Sequence, residues 1–323
     1  MTLFRNKAFL SFFLCVVLLT AWRAQAQEDV ALWAFPHVAE ANMRTAPSHA
    51  AELESQVTLG TPLQIVEAGE EWILVMSPDG DKGWINRSGL TLMDHAEATE
   101  WRKSNRIIVK QPVCRVTKYA CVEEPQSTIA TLTLGCILTP TGNHEGSFTE
   151  ISFPDGRSGW IADSEIESLE QWASQPWQRE KIVDTAFSVM GTPYLWGGST
   201  AKALDCSGLV KLALGANGLI PPRNASQQAT TGTRIECKDF GTLTCGDLLF
   251  FGDEDTGRVT HVALYDKAGN YIHASGEVRY NSFLPVNDNY LDRKVLFGVS
   301  LADAVSSGGI KSVKNHPWYF DIE

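Results

Sequence analysis

The segment LDCSGLVKLALG, residues 204–215, sets an acid, a thiol and a hydroxyl side by side at the start of an apolar run. Leu209, Val210, Leu212, Ala213 and Leu214 keep helical spacing after Cys206, and Asp205 and Ser207 are residue types that cap helices. A cysteine at a helix N-terminus meets free backbone N–H groups and the positive end of the dipole, both of which favour the nucleophilic thiolate. Alone, such a cysteine reads as a small buried hydrophobe; its company points elsewhere. His261 opens the strand-like HVALY and His273 lies in YIHASG, twelve residues on, across a hairpin turning near Ala268 and Gly269. The even separation predicts one shared face, with the imidazoles close to opposite one another. With Cys206 they form a nucleophile, a base and a group that orients it, the set used by covalent hydrolases.

A scaffold must hold these three together. Ile182, Val183, Ala186, Phe187 and Met190 predict a helix that Gly191 and Pro193 stop. Strand-like GDLLFFG, HVALYDKAGNYIHASG and VLFGVSLA follow the Cys206 helix, with KAGN as a hairpin turn, so the unit reads as α+β. Ahead of it, residues 57–85 and 132–161 share one layout: T-L-G, alternating apolar residues, P-D-G, then G-W-I. The copies are offset by 75 residues, from Gly60 to Gly135. Each PDG is a turn signal between alternating strands, so each copy is predicted to be a small all-β unit.

Arg5 and Lys7 precede the apolar run AFLSFFLCVVLL, and AQAQ at residues 24–27 offers a small-x-small cleavage site after Ala26. The run is too short for a membrane span, which needs about 20 residues. Residues 1–26 therefore read as a signal peptide, and the chain as exported to the periplasm or cell envelope with no stable membrane insertion. The whole sequence has 27 Lys+Arg against 38 Asp+Glu, net −11; losing Arg5, Lys7 and Arg23 takes this to −14. That sign disfavours a nucleic-acid partner. The expected division is 27–95 and 100–170 for the repeats, 171–302 for the α+β unit and 303–323 for a tail, whose Trp318, Tyr319 and Phe320 are expected to dock on a neighbouring domain.

The combination YLWGGSTAKALDCSGLV, PRNASQQA, CGDLLFF, HVALY and IHASG resembles the NlpC family of papain-like cell-wall peptidases over about residues 177–300, and the repeats resemble bacterial SH3-like domains. The resemblance implies an α+β papain-like catalytic domain preceded by two small all-β SH3-like barrels. It further implies a cysteine endopeptidase cutting the γ-D-glutamyl–diamino acid bond, here to meso-diaminopimelate, in peptidoglycan stem peptides or murein fragments. The double-barrel arrangement is similar to a subgroup that requires a free N-terminal L-alanine. In that subgroup the acid before the nucleophile, the serine after it and a glutamate of ELxSQ meet the substrate amine, which would be Asp205, Ser207 and Glu52. Tyr194 and Trp196 fall in the segment that lines the cleft in relatives, with the Tyr194 hydroxyl and the Cys206 backbone N–H facing the oxyanion. Two positions depart from the subgroup: Asp81 stands where a tyrosine is usual, and Ala225 replaces the serine of PRxS.

Cys114 with Cys121, and Cys237 with Cys245, are pairs close enough in sequence for disulfides in an exported chain. No CxxC or HExxH spacing occurs, so neither a metal nor another cofactor is expected. A wall-binding adaptor, and an amidase or acyltransferase using the same thioacyl chemistry, are the alternatives to a peptidase.

Overall fold

A computed structural model describes residues 32–121 and 125–321, apart from the side chain of Cys237. The signal-peptide reading of residues 1–26 lies outside the described residues.

The first repeat folds as strands Trp33–Pro36 (β1), Glu40–Arg44 (β2), Leu53–Thr58 (β3), Leu63–Ala68 (β4), Trp72–Met76 (β5), Lys82–Asn86 (β6) and Leu90–Met93 (β7). The second gives Ile107–Val109 (β8), Cys114–Thr117 (β9), Thr128–Leu132 (β10), Ile137–Glu145 (β11), Phe148–Ser152 (β12), Ser158–Ala162 (β13) and Ile166–Ser168 (β14). Their strand orders, β3-β2-β6-β5-β4-β1-β7 and β10-β9-β13-β12-β11-β8-β14, correspond element for element. Alternation in sequence becomes alternation of faces: Met43, Leu63, Ile73 and Ile85 fill one core, Val116, Leu138, Ile151 and Ile161 the other. Each PDG turn needs a residue at positive φ, which Gly80 (92°) and Gly156 (85°) supply. A helix, His95–Lys103 (α1), capped reciprocally by Asp94 and Glu97, bridges the copies.

Behind them lie helices Leu169–Ser174 (α2) and Arg179–Ser188 (α3), a short ladder of Ser199–Thr200 (β15) and Ala203–Leu204 (β16), and the helix Cys206–Gly215 (α4). Leu219–Ile220 (β17) and Ala225–Gln228 (α5) lead to strands Thr233–Glu236 (β18), Leu248–Gly252 (β19), Val259–Tyr265 (β20), Asn270–Ser275 (β21), Glu277–Ser282 (β22) and Val295–Ser300 (β23), and Lys311–Ser312 (β24) follows. The main sheet runs β18-β23-β19-β20-β21-β22, every neighbour antiparallel. Ile182 and Ala186 of α3 and Val210 and Ala213 of α4 pack against Phe250, Val262 and Ile272 on one face of that sheet. The helix predicted through Met190 stops at Ser188, and Phe187 and Met190, expected inside, are 40% and 41% exposed.

Cys114 and Cys245 are free thiols, so neither expected disulfide is formed. Cys114 points into the second β-unit's core beside Cys136, which holds it away from a bridge to Cys121. The tail does dock: Trp318 meets Trp33 edge-on at 5.3 Å, and Tyr319 is buried with Ile108, Ile137 and Leu169.

Candidate active site

Cys206 is the first residue of α4, so its backbone N–H has no acceptor within the helix. Asp205 is the N-cap and accepts from the Gly208 N–H at 2.6 Å. A Cβ on Gly208 would stand 2.0 Å from the Gly198 carbonyl oxygen, so the DCSG glycine lets the preceding turn lie flat on the helix start. The same carboxylate takes Arg223 Nη2 at 2.5 Å and Nη1 at 3.1 Å, the Gly197 N–H at 3.0 Å and the Ser207 hydroxyl at 3.2 Å. These five donors saturate a carboxylate's four lone-pair sites. Ser207 Oγ also accepts from Arg223 Nη1 at 2.9 Å. Arg223 lies within PRNASQQA, where no local pattern gives it a role; only the fold shows it closing over the helix cap.

Burial, and next the Asp205 charge, push the Cys206 thiol up, although contacts with the backbone N–H groups of Val262 and Ser207 pull it down. The thiolate expected from helix position alone is thus outweighed by desolvation. Contact with Val262 places the sulfur beside β20, one residue from His261.

Ala268 (φ 49°) and Gly269 (φ 79°) make the tight turn between β20 and β21. The register Leu264↔Ile272 and Tyr265↔Tyr271 sets His273 across from Ala263, so the histidines share a face diagonally rather than directly opposite. Their rings still meet: His261 Nε2 and His273 Nδ1 are 2.8 Å apart. His273 Nε2 lies 3.0 Å from Asn281 Oδ1 on β22, and Asn281 Nδ2 donates to the Asn289 carbonyl at 3.0 Å. A carbonyl only accepts, so Asn289 fixes the Asn281 amide, and each proton follows in turn. His273 carries its proton on Nε2 and accepts at Nδ1; His261 donates from Nε2, leaving Nδ1 with the lone pair a base needs. Burial, then Arg293, then His273 hold His261 down to about 2; burial is the largest cause holding His273 down to about 4. Both rings are neutral at neutral pH. Asn281, Asn289 and Arg293 escaped sequence reading because only strand register brings them here.

The first β-unit supplies a wall of the cleft. Gln56 and Ser199 exchange buried hydrogen bonds of 3.0–3.1 Å, and a Cβ on Gly197 would stand 2.3 Å from the Leu53 carbonyl oxygen. Glu52 is exposed and accepts from Trp196 Nε1 at 2.7 Å; Trp196 itself is 64% exposed. Tyr194 is partly buried, and burial with the nearby Cys206 and Asp205 raises it to about 12, so its hydroxyl remains a donor. Asp81 follows the PDG turn, and its Oδ2 is buried without a hydrogen-bond partner. Burial and Asp79 push Asp81 up to about 6, against the pull of Lys211 and Arg223. Among the described residues, no three His, Cys, Asp or Glu side chains are grouped to hold a metal ion.

Over residues 191–298 the sequence matches the NlpC/P60 family, and over residues 37–91 a bacterial SH3 domain. Dipeptidyl-peptidase 6 of Lysinibacillus sphaericus is 32% identical over 254 residues, spanning 75% of this chain and 88% of that relative. A gamma-D-glutamyl-L-lysine dipeptidyl-peptidase of Bacillus cereus is 23% identical over 81% of this chain and 79% of its own length. A solved NlpC/P60 family protein from Bacillus cereus has the same fold, with a TM-score of 0.69 at 20% identity over 83% of this chain and 99% of that one. Likeness of that extent to the Lysinibacillus relative, together with a match spanning Cys206 and both histidines, means that the chain belongs to the NlpC/P60 family.

Proposed function

We propose that the protein is an exported cysteine endopeptidase that hydrolyses the γ-D-glutamyl–diamino acid bond of peptidoglycan stem peptides, with meso-diaminopimelate as the diamino acid and a free N-terminal L-alanine preferred. The observation that carries it is the ordered proton chain from Asn289 through Asn281 and His273 to His261, whose chain neighbour Val262 touches the thiol of a cysteine at a helix N-terminus. The names of two relatives, gamma-D-glutamyl-L-lysine dipeptidyl-peptidases, support the γ-D-glutamyl side of the bond, and meso-diaminopimelate follows the resemblance set out above. Export rests on the signal-like residues 1–26.

In this reading His261 Nδ1 takes the Cys206 proton as sulfur attacks the γ-glutamyl carbonyl carbon. The oxyanion faces the Cys206 backbone N–H and the Tyr194 hydroxyl. Imidazolium then protonates the departing amine of the diamino acid as the C–N bond breaks, leaving a thioester on Cys206. Water, deprotonated by His261, cleaves the thioester and returns the thiol. Asp205, already saturated, keeps Arg223 and the helix start in place with Ser207. In the same reading the substrate ammonium is met by Asp81, whose Oδ2 lacks a hydrogen-bond partner, and by Glu52, which accepts from Trp196 Nε1.

Acetylating the amine removes that cation. Losing one partner of a desolvated pair costs about 2–5 kcal/mol, roughly 30-fold to several-thousand-fold in kcat/KM. The experiment measures hydrolysis of L-Ala-γ-D-Glu-meso-diaminopimelate and its N-acetyl form by wild type, Cys206→Ala, Asp81→Asn and Glu52→Gln. Cleavage at the γ-glutamyl bond that vanishes in Cys206→Ala is expected. Equal wild-type rates on both peptides would remove the amine preference, and no cleavage of either by folded protein would remove the peptidase.

A further inference from the structure

The residues after β23 take no part in this chemistry, yet they touch all three units. β24 pairs with β17 next to the nucleophile helix, with Leu219↔Ser312 and Ile220↔Lys311. Trp318 packs on Trp33 of the first β-unit, and Arg106, ahead of the second, donates to the Tyr319 carbonyl. Two side chains of this strap converge on a single atom. Lys311 Nζ lies 3.1 Å from the Pro78 carbonyl oxygen and His316 Nε2 lies 3.2 Å from it. The Trp318 N–H donates to His316 Nδ1 at 3.2 Å, so Nδ1 accepts and Nε2 carries the proton given to Pro78.

Pro78 belongs to the first PDG turn, closed internally by Ser77 N–H to the Asp81 carbonyl at 2.9 Å and Gly80 N–H to the Ser77 carbonyl at 2.8 Å. On one side of it, Asp79 pairs with Lys211 of α4 at 2.5 Å; on the other, Asp81 presents its unpartnered oxygen. The turn is thus held from outside by Lys211 on the Asp79 carboxylate and by the strap on the Pro78 carbonyl. We propose that His316 and Lys311 are positioning residues that lock the turn at residues 77–81 against the nucleophile helix, and so set where Asp81 meets the substrate ammonium. The second half rests on the amine reading above; the first does not.

Hydrogen–deuterium exchange over residues 76–82 reads the first half without substrate. His316→Ala and Lys311→Ala are each expected to speed exchange there about 3- to 10-fold, the effect of one net hydrogen bond. His316→Gln, which keeps a donor, restores it, and Trp318→Ala, which removes ring contacts to Trp33 and His316 but leaves both donors to the Pro78 carbonyl, has a smaller effect. With the free-amine tripeptide, KM in the two alanine variants rises by a similar factor while kcat holds. Unchanged exchange in both alanine variants or an equal effect in Trp318→Ala would each overturn the proposal, and faster exchange with KM unmoved would overturn its second half. Should the wild type not cleave the tripeptide, the peptidase reading falls and exchange alone decides whether the strap holds the turn.

Discussion

His261 works as a base only in the tautomer with the lone pair on Nδ1, and that tautomer is imposed from three groups away by a backbone carbonyl. Asn281→Leu removes the acceptor that pins His273, so the rings populate the wrong tautomer part of the time. kcat is expected to fall about 10- to 100-fold with KM nearly unchanged, because a misoriented base costs rate rather than binding. Equal kcat in the variant and wild type would show that the chain of amides and imidazoles is incidental. Arg293 acts on the same rings through charge: it disfavours both imidazoliums and holds both pKa values down. Replacing it with glutamine raises them. Since the base must be neutral, the acid limb of the kcat/KM profile is expected to move to higher pH in Arg293→Gln, and an unmoved or lowered limb counts against it.

Two glycines of α4 have opposite expectations, although helix propensity alone would improve both on change to alanine by about 1 kcal/mol. A Cβ on Gly215 has nothing within 4 Å, whereas one on Gly208 would overlap the Gly198 carbonyl. Gly215→Ala is therefore expected to raise stability by several tenths of a kcal/mol to ~1 kcal/mol, and Gly208→Ala to lower it by about 1–3 kcal/mol and displace Cys206. Urea unfolding of the two variants checks the opposed signs. This pairing also marks what sequence makes legible. DCSG announces a capped helix and KAGN announces the turn, because both are local chemistry. The repeat was legible as two all-β units, since alternation and PDG spacing recur, but their strand order was not. Arg223 over Asp205, Asn281 behind His273 and Asp81 beside the cleft are set by register or by packing between units, which no local pattern encodes. The disulfides failed for the same reason: closeness in sequence says nothing about which way Cys114 points.

Acid stability belongs to the whole molecule, because groups from two units oppose one another. His261 is 5% exposed and His273 fully buried, and their folded values of about 2 and about 4 lie below the ordinary 6.5. Between pH 6.5 and about 4 the unfolded chain binds protons that the folded protein refuses, so stability falls as pH drops, by up to ~1.4 kcal/mol per pH unit for each ring. His316, also lowered, adds in the same direction. Asp81 runs the other way: raised from 3.8 to about 6, it takes up a proton on the folded protein first, which stabilises on acidification through that window. Partly exposed, it offsets less than one ring. Denaturation midpoints measured at pH 7, 6 and 5 should therefore fall, with the decline steeper in Asp81→Asn, which loses the opposing group, and shallower in His273→Gln, which loses a contributing one. The comparison uses slopes against pH within each protein, so a general loss of stability in either variant does not confound it. A midpoint that is flat or rises between pH 7 and 5, or a decline steeper in His273→Gln than in wild type, would mean that the buried imidazoles do not govern the acid limit.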